Sequence, residues 1–320
     1  MGATAVILNP VPPYDFTLST FVFSSGDPQI RKAENGRFWQ VIRVGENLVL
    51  AEVTAEGSTG NPTLKVRLTA EDVLTPGEQE QALTTISRIL NLDDYLTPFY
   101  QAVRNDPPML ELTKHLRGLK PSTTPTVFEA LVDSIIEQQI SLAVARTLEV
   151  RLTKMFGDSL VVDGQTYYAF PAPERIASAT PGQFRSCGLS SMKGDYIRNV
   201  AERTVQGEPD LERLRNIRDS EEIITELVKL KGVGRWTAEL AILRGMHRLD
   251  AFPADDLGLR RSIAQRYQRG GKISAEEARK IADQWGEWKG LAAYYLLIAD
   301  QMSTLTRRKR NSKEGFSQGF

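Results

Sequence analysis

The hydrophobic pattern of this chain changes period once, near Pro76, and that switch limits the folds open to it. Before it, apolar and polar residues alternate. Leu64, Val66 and Leu68 are separated by Lys65 and Arg67, the period-two signature of a strand with one buried face. Phe38 to Ile42 and Leu48 to Val53 read as two more strands, joined by a hairpin connection at Gly45-Glu46-Asn47. Phe16 to Ser19 with Phe21 to Phe23 reads as a fourth. Links this short pair strands antiparallel. After Pro76, Leu83, Ile86, Ile89 and Leu90 recur at helical spacing, as in a helix burying one face. From about residue 95 nearly everything reads as short helices with short connections. Strands gathered first and helices afterwards define an α+β class.

Local signals refine the helical part. Thr126-Val127-Phe128-Glu129 is a capping box opening a helix to about Gln138. Ser141 to Phe156 forms the next, stopped by Gly157, and Gly164 to Pro173 reads as a loop. A helix starting at Asp219 runs to about Leu230. The single cysteine, Cys187, excludes an internal disulfide framework and any four-cysteine zinc or iron–sulfur site. No apolar window is long enough to span a membrane, and the N-terminus lacks the basic start and apolar run of a secretory signal. Val6 stands where myristoylation wants Ser or Thr. The expectation is a soluble intracellular protein.

With 40 basic and 40 acidic residues among 320, the formal charge is zero. That argues against holding nucleic acid by bulk charge. The distribution is uneven: residues 1–100 hold 7 basic and 12 acidic groups, residues 101–320 hold 33 and 28. Much of the basic surplus sits in the last twenty residues, leaving a nearly neutral helical body.

Leu230-Lys231-Gly232-Val233-Gly234-Arg235-Trp236-Thr237-Ala238-Glu239 carries the most chemical information. One helix ends, two glycines allow a tight backbone with positive φ, and a second helix begins at once. Such a turn aims backbone N–H groups at one external point and grips a phosphate oxygen without a basic side chain. A plain glycine-capped helix joint is the other reading of the same residues. Asp255 and Asp256 follow in Asp250-Ala251-Phe252-Pro253-Ala254-Asp255-Asp256. Either can cap the next helix, or serve as a carboxylate beside a developing positive charge. His115 and His247 have no metal-ligand spacing and read as surface or capping residues. Arg244, Arg260 and Arg261 read as solvated helix arginines or phosphate contacts. Trp285 and Trp288, three apart, read as core.

Leu-x-Gly-x-Gly-x-Trp-Thr-Ala followed by Asp-x-Phe-Pro-x-Asp-Asp resembles the helix-hairpin-helix (HhH-GPD) DNA glycosylases, and most nearly their alkylation-repair branch, DNA-3-methyladenine glycosylase II. The resemblance extends to Leu92 through Tyr100, Phe128 through Leu131, Glu137 through Ser141, Gly188-Leu189-Ser190, and Trp285 through Trp288. It covers about residues 90–300. The residue pattern itself gives an N-terminal antiparallel β domain with a helix over residues 1–92 and a basic flexible tail over 306–320. The resemblance implies a glycosylase domain of two helical subdomains, with the active cleft between them, over 93–305.

The resemblance implies the following roles. Asp256 is catalytic and Asp255 caps the helix. Gly232, Val233, Gly234, Arg235 and Thr237 form the phosphate-binding hairpin. Trp236 and Leu240 belong to the base pocket or stack on the base, Trp236 being equally readable as core. Gln139 and Ile140 enter the DNA stack, with a solvent-facing loop as the other reading of Gln139. Bifunctional members carry Lys where this chain has Trp236, so a monofunctional enzyme is expected: it excises 3-methyladenine-type purines from double-stranded DNA by base flipping. Leu240 and Leu297 stand where bacterial relatives place aromatic walls, which leaves hypoxanthine and other lesions open. No cofactor is expected beyond a monovalent cation on hairpin backbone carbonyls. The expected partner is damaged duplex DNA, the expected state a monomer, and the expected location the cytoplasm or nucleoid, or a nucleus in a eukaryote. A bifunctional oxidised-base glycosylase and a non-catalytic DNA-binding module are the rival readings.

Overall fold

A computed structural model describes residues 2–317, with side chains through residue 305; the expected tail, 306–320, lies outside the residues whose side chains are described. The alternating segments form one antiparallel sheet of five strands. These are β1 (Gly2–Leu8), β2 (Arg31–Glu34), β3 (Arg37–Val44), β4 (Asn47–Ser58) and β5 (Asn61–Ala70), in the order β1-β5-β4-β3-β2. Asn35 and Gly36 both take positive φ in the two-residue turn between β2 and β3, the type I′ geometry that suits the twist of the strands. Gly45 alone takes it between β3 and β4.

Phe16 to Phe23 is not a strand. Asp15 Oδ1 accepts the Leu18 amide at 2.9 Å and caps a short helix, Phe16–Ser19, and Phe21–Phe23 follows as a 3-10 turn. The cap outweighs the β propensity of the aromatics. Helix Pro76–Leu90 lies on one face of the sheet, its Ile86, Ile89 and Leu90 packed among Phe38, Ile42, Val53 and Val66. Each such side chain contributes roughly 1.5–3 kcal/mol by leaving water.

The expected loop at 164–173 is half wrong. Asp163 and Gly164 (φ 50° and 78°) turn a small hairpin of β6 (Ser159–Val162) and β7 (Gln165–Tyr168). Its Leu160 and Val162 cover Val41 and Leu50 on the sheet's other face. The sheet is thereby sandwiched between its own helix and a hairpin from the helical part. Buried Lys120 adds a tie, its Nζ donating to the Val11 and Leu92 carbonyls at 2.8 Å.

The helices pack around two cores. One draws only on residues between Val127 and Ala251. The other combines Leu96 to Leu119 with Phe252 to Ile298. The chain therefore crosses between cores at Ala251/Phe252, inside the segment that carries Asp255 and Asp256. Trp285 is buried in the second core, as expected. Its 3-10 segment, Asp283–Trp288, leads into the last helix, Lys289–Ser317.

Candidate active site

The hairpin joins helix Ser220–Leu227, capped by Asp219 and ending before Leu230, to helix Arg235–Met246. Its two glycines differ. Gly232 has φ 85°, in the left-handed region, and a Cβ there would stand 2.1 Å from Cγ of Tyr196. Gly234 is extended, with φ −88° and ψ 175°, and a Cβ on it would meet no atom within 4 Å. The expectation of positive φ thus holds for Gly232 alone. Gly234 is the N-cap and has no side chain to accept a hydrogen bond. The leading amides of the following helix therefore face outward without an intramolecular acceptor, the arrangement that attracts an anion.

Three other hairpin residues contribute differently from expectation. Val233 is buried in the first core and its amide donates to the Leu230 carbonyl at 3.1 Å. Thr237 is buried, and its Oγ1 accepts from Gln138 Nε2 at 3.0 Å. The Arg235 guanidinium is committed to two carboxylates. It pairs bidentately with Glu221, at 2.9 and 2.6 Å, and through Nε with Glu239 at 2.9 Å. Its bonds to Glu221 hold the Glu221 carboxyl below its usual range and raise the arginine. Burial raises the carboxyl of Glu239, against the pull of Arg279 and Arg235. Arg279 donates both to Glu239 (3.0 Å) and to the Phe252 carbonyl (3.1 Å). This chain of contacts fixes the hairpin helix against the Asp-bearing crossing.

At that crossing the structure reverses the roles expected for the two aspartates as caps. Asp256, not the exposed Asp255, is the N-cap of helix Leu257–Tyr267, its Oδ1 accepting the Leu259 amide at 2.7 Å. The capped amide is that of buried Leu259, one turn before buried Ile263 and Ala264, while Leu257 is exposed. The cap holds the Asp256 carboxylate through Oδ1 and leaves Oδ2 out of that bond. A Cβ on Gly258 would lie 3.1 Å from Asp256 Oδ1 and 3.6 Å from Leu297 Cδ2, so Leu297 stands beside the carboxylate.

Trp236, Leu240 and Arg244 recur every fourth residue on the hairpin helix. They belong to neither core, whereas Ala238, Ala241 and Ile242 on the opposite face belong to the first. Trp236 is half-buried and its indole Nε1 has no hydrogen-bond partner. Leu240 is buried. Arg244 donates to Glu137 at 2.8 Å and interacts electrostatically with Asp256. Burial pulls the Arg244 pKa down, and Glu137, Asp133 and Asp256 together more than offset it. Tyr294, whose hydroxyl pKa is raised by burial, lies by the Ser122 backbone and Arg244. Trp236, Leu240 and Arg244 thus share one face of the hairpin helix, and Arg244 and Leu297 lie near Asp256.

The expected intercalating loop links helix Val127–Glu137 to helix Leu142–Phe156. Thr126 accepts the Glu129 amide, but the Glu129 side chain turns to Arg31 (3.0 Å), so only half of the predicted capping box exists. Gln139 is exposed with φ 58°, and Ile140 is exposed beside it. A non-glycine residue in that region costs of order 1–3 kcal/mol and persists where its surroundings hold it. Gln139 and the hairpin line one concavity of about 610 Å³, together with Met192, Tyr196 and Lys231. His247 caps the hairpin helix in a left-handed conformation and pairs with Asp94 at 2.9 Å, the capping role expected for it. His115 ends helix Pro107–His115 and bonds to the Glu111 carbonyl. Among the described residues no cluster of His, Cys, Asp and Glu could hold a metal ion, and no helix is long and apolar enough to cross a membrane.

Residues 132–287 match the family model described as "HhH-GPD superfamily base excision DNA repair protein". A DNA-3-methyladenine glycosylase of Bacillus subtilis is 33% identical over 268 residues, covering 82% of this chain and 86% of the relative. DNA-3-methyladenine glycosylase 2 of Escherichia coli is 26% identical over 290 residues, covering 90% and 95%. Among solved structures, a 3-methyladenine DNA-glycosylase from Archaeoglobus fulgidus superposes with a TM-score of 0.80 at 28% identity, over 92% of this chain and 98% of that one.

Proposed function

The chain belongs to the HhH-GPD superfamily of base excision DNA repair proteins, among its DNA-3-methyladenine glycosylases, and from that premise we propose that it excises alkylated purines from duplex DNA by hydrolysis alone. The observation that carries the mechanism is Asp256, a carboxylate oriented by its own helix cap at the crossing between two cores. The hairpin amides grip a phosphate, the damaged nucleotide turns out of the stack, and Gln139 with Ile140 enters the gap. The C1′–N bond then breaks with its electron pair leaving on the base. An alkylated purine already carries positive charge, so it departs neutral without prior protonation. Positive charge develops on the sugar, where Asp256 stabilises it. A water forms the new C1′–O bond and passes its proton to Asp256 and on to solvent.

Trp236 bears on the reaction type. Strand cleavage through an imine needs an amine at the attacking position, and an indole cannot supply one. Borohydride should therefore trap no covalent protein–DNA adduct on a lesion duplex; a trapped adduct would establish the lyase reading instead. A monovalent cation on hairpin carbonyls belongs to this proposal. The carbonyls of Gly232 and Gly234 already accept from Gln138 Nε2 and from the Ala238 amide. A monomer acting at the nucleoid, or in a nucleus, fits the same reading.

The decisive test is Asp256→Asn on a panel of duplexes, each with one lesion, scored for abasic sites. Asparagine caps a helix as well as aspartate does, so folding and DNA binding are expected to survive. Base release should fall by about 10²–10³, the scale of removing one preorganised charge stabiliser. Unchanged release would refute the assignment.

A further inference from the structure

Helix Ser191–Gln206 runs beneath both loops assigned to the DNA. At three-residue steps it presents Lys193, Tyr196 and Asn199 to them. Lys193 Nζ donates to the Ile136 and Gln138 carbonyls, both at 2.7 Å. The Tyr196 ring lies directly under Gly232. Asn199 Oδ1 accepts the Lys231 amide at 3.3 Å. From above, Gln138 Nε2 donates to the Gly232 carbonyl at 2.9 Å and to Thr237 Oγ1 at 3.0 Å. The intercalating loop, the supporting helix and the hairpin thus form a closed circuit.

Lys193 is 8% exposed, and burial lowers its pKa. A buried ammonium is a costly way to end a helix, and glycine or water satisfies terminal carbonyls in most helices. Here the carbonyls engaged are those of Gln138, directly before Gln139, and of Ile136, three residues before it; Gln139 itself is held in a left-handed conformation. Charge-assisted bonds are short and directional, so they fix that backbone more firmly than a solvated end would.

We propose that Lys193 is a positioning residue for base extrusion: through the Ile136 and Gln138 carbonyls it holds Gln139 at a set distance from the hairpin, with Gln138 closing the link. Phosphate gripping and filling of the gap then occur as one rigid-body step. This rests on the reading of the hairpin as phosphate anchor and Gln139 as the inserted side chain.

The test places one alkylated purine in two duplexes, opposite its normal partner or opposite an abasic site, where no base pair resists extrusion. Single-turnover release is measured for wild type, Lys193→Met, Lys193→Arg and Gln139→Ala. Lys193→Met should slow release from the paired duplex by about 10- to 100-fold, the worth of one charge-assisted hydrogen bond. Release opposite the abasic site should stay within about threefold of wild type, since the missing contact matters only where extrusion is opposed. Gln139→Ala should show the same selectivity, and Lys193→Arg should restore most of the loss. The fluorescence rise of 2-aminopurine beside the lesion should fail in Lys193→Met on the paired duplex alone. Gln138→Leu, which cuts the circuit at a half-exposed position, should repeat the pattern and serves if Lys193→Met does not fold. Equal slowing on both duplexes, or none on either, overturns the proposal. Absence of release by wild type from both duplexes refutes the glycosylase reading and the proposal with it.

Discussion

The two hairpin glycines should fail in opposite ways when each is replaced by alanine. At Gly232 the cost is intramolecular. A left-handed φ of 85° is unfavourable for alanine by about 1–2 kcal/mol. Its Cβ would also stand 2.1 Å from Tyr196 Cγ, so the ring or the hairpin must move. Overpacking of this kind typically costs about 1–3 kcal/mol. Gly232→Ala should therefore lose about 2–5 kcal/mol, read by denaturant unfolding. Adding Tyr196→Ala removes the steric part and keeps the backbone part, so a double-mutant cycle should show coupling of about 1–3 kcal/mol.

At Gly234 the backbone is extended and the space around a Cβ is empty. Stability should change by less than about 1 kcal/mol, since alanine is only a somewhat poorer N-cap. On the proposed reading, that empty space is where a phosphate approaches the leading amides. A methyl group there holds the phosphate off and forfeits a charge-assisted hydrogen bond, for a loss of about 10- to 100-fold in DNA affinity. Anisotropy with a lesion duplex measures it. Equal destabilisation by both substitutions, or a Gly232→Ala protein as stable as wild type, would refute this account of the hairpin.

Two further outcomes follow from charge. Arg31 faces Glu129, Glu149 and buried Asp133, three carboxylates against one guanidinium. Burial pushes Glu129 up to about 7 and Asp133 well above its usual range. The folded state then holds protons that the unfolded chain has released. Stability should therefore fall as pH rises from about 4.5 to about 7, and Asp133→Asn should flatten the decline in denaturant unfolding at pH 5 and 7.5; an unchanged slope would remove Asp133 from the cause. Arg235, Arg244 and Arg279 are each paired with glutamates, so these three contribute little to counterion release. Log affinity against log salt should have a slope shallower than about −3, whereas a slope near −10 would mark a polybasic interface.

What could be read from the sequence was set by contact range. Alternation at Leu64, Val66 and Leu68 and the helical spacing of Ile86, Ile89 and Leu90 are local, and both elements formed as expected. The Asp163-Gly164 turn was equally local, but strands of four residues each are too short to show an alternation. The partners that hold the site are distant in sequence. Gln138 meets Gly232 and Thr237 at separations of 94 and 99 residues, and Lys193 meets Gln138 at 55. No period or spacing rule reports such pairs. From sequence Arg235 reads as a phosphate contact, because nothing local reveals Glu221, fourteen residues back, as its partner.

Adjacent aspartates pose a sharper case. Each precedes a helical segment, and capping propensity is the same for both, so residue type could not divide the roles. Burial divides them. Leu259 is buried and Leu257 is 69% exposed, which sets the helix register and makes Asp256 the residue whose side chain meets the Leu259 amide. Capping and catalysis then cease to be alternatives. A carboxylate that spends one oxygen on its helix has its second oxygen aimed by the backbone, without help from another side chain. The crossing from Ala251 in one core to Phe252 in the other sets that carboxylate just past the junction of the two cores, near Arg244 and Leu297. This is why Asp256→Asn separates the two roles: it leaves the cap in place and removes only the charge.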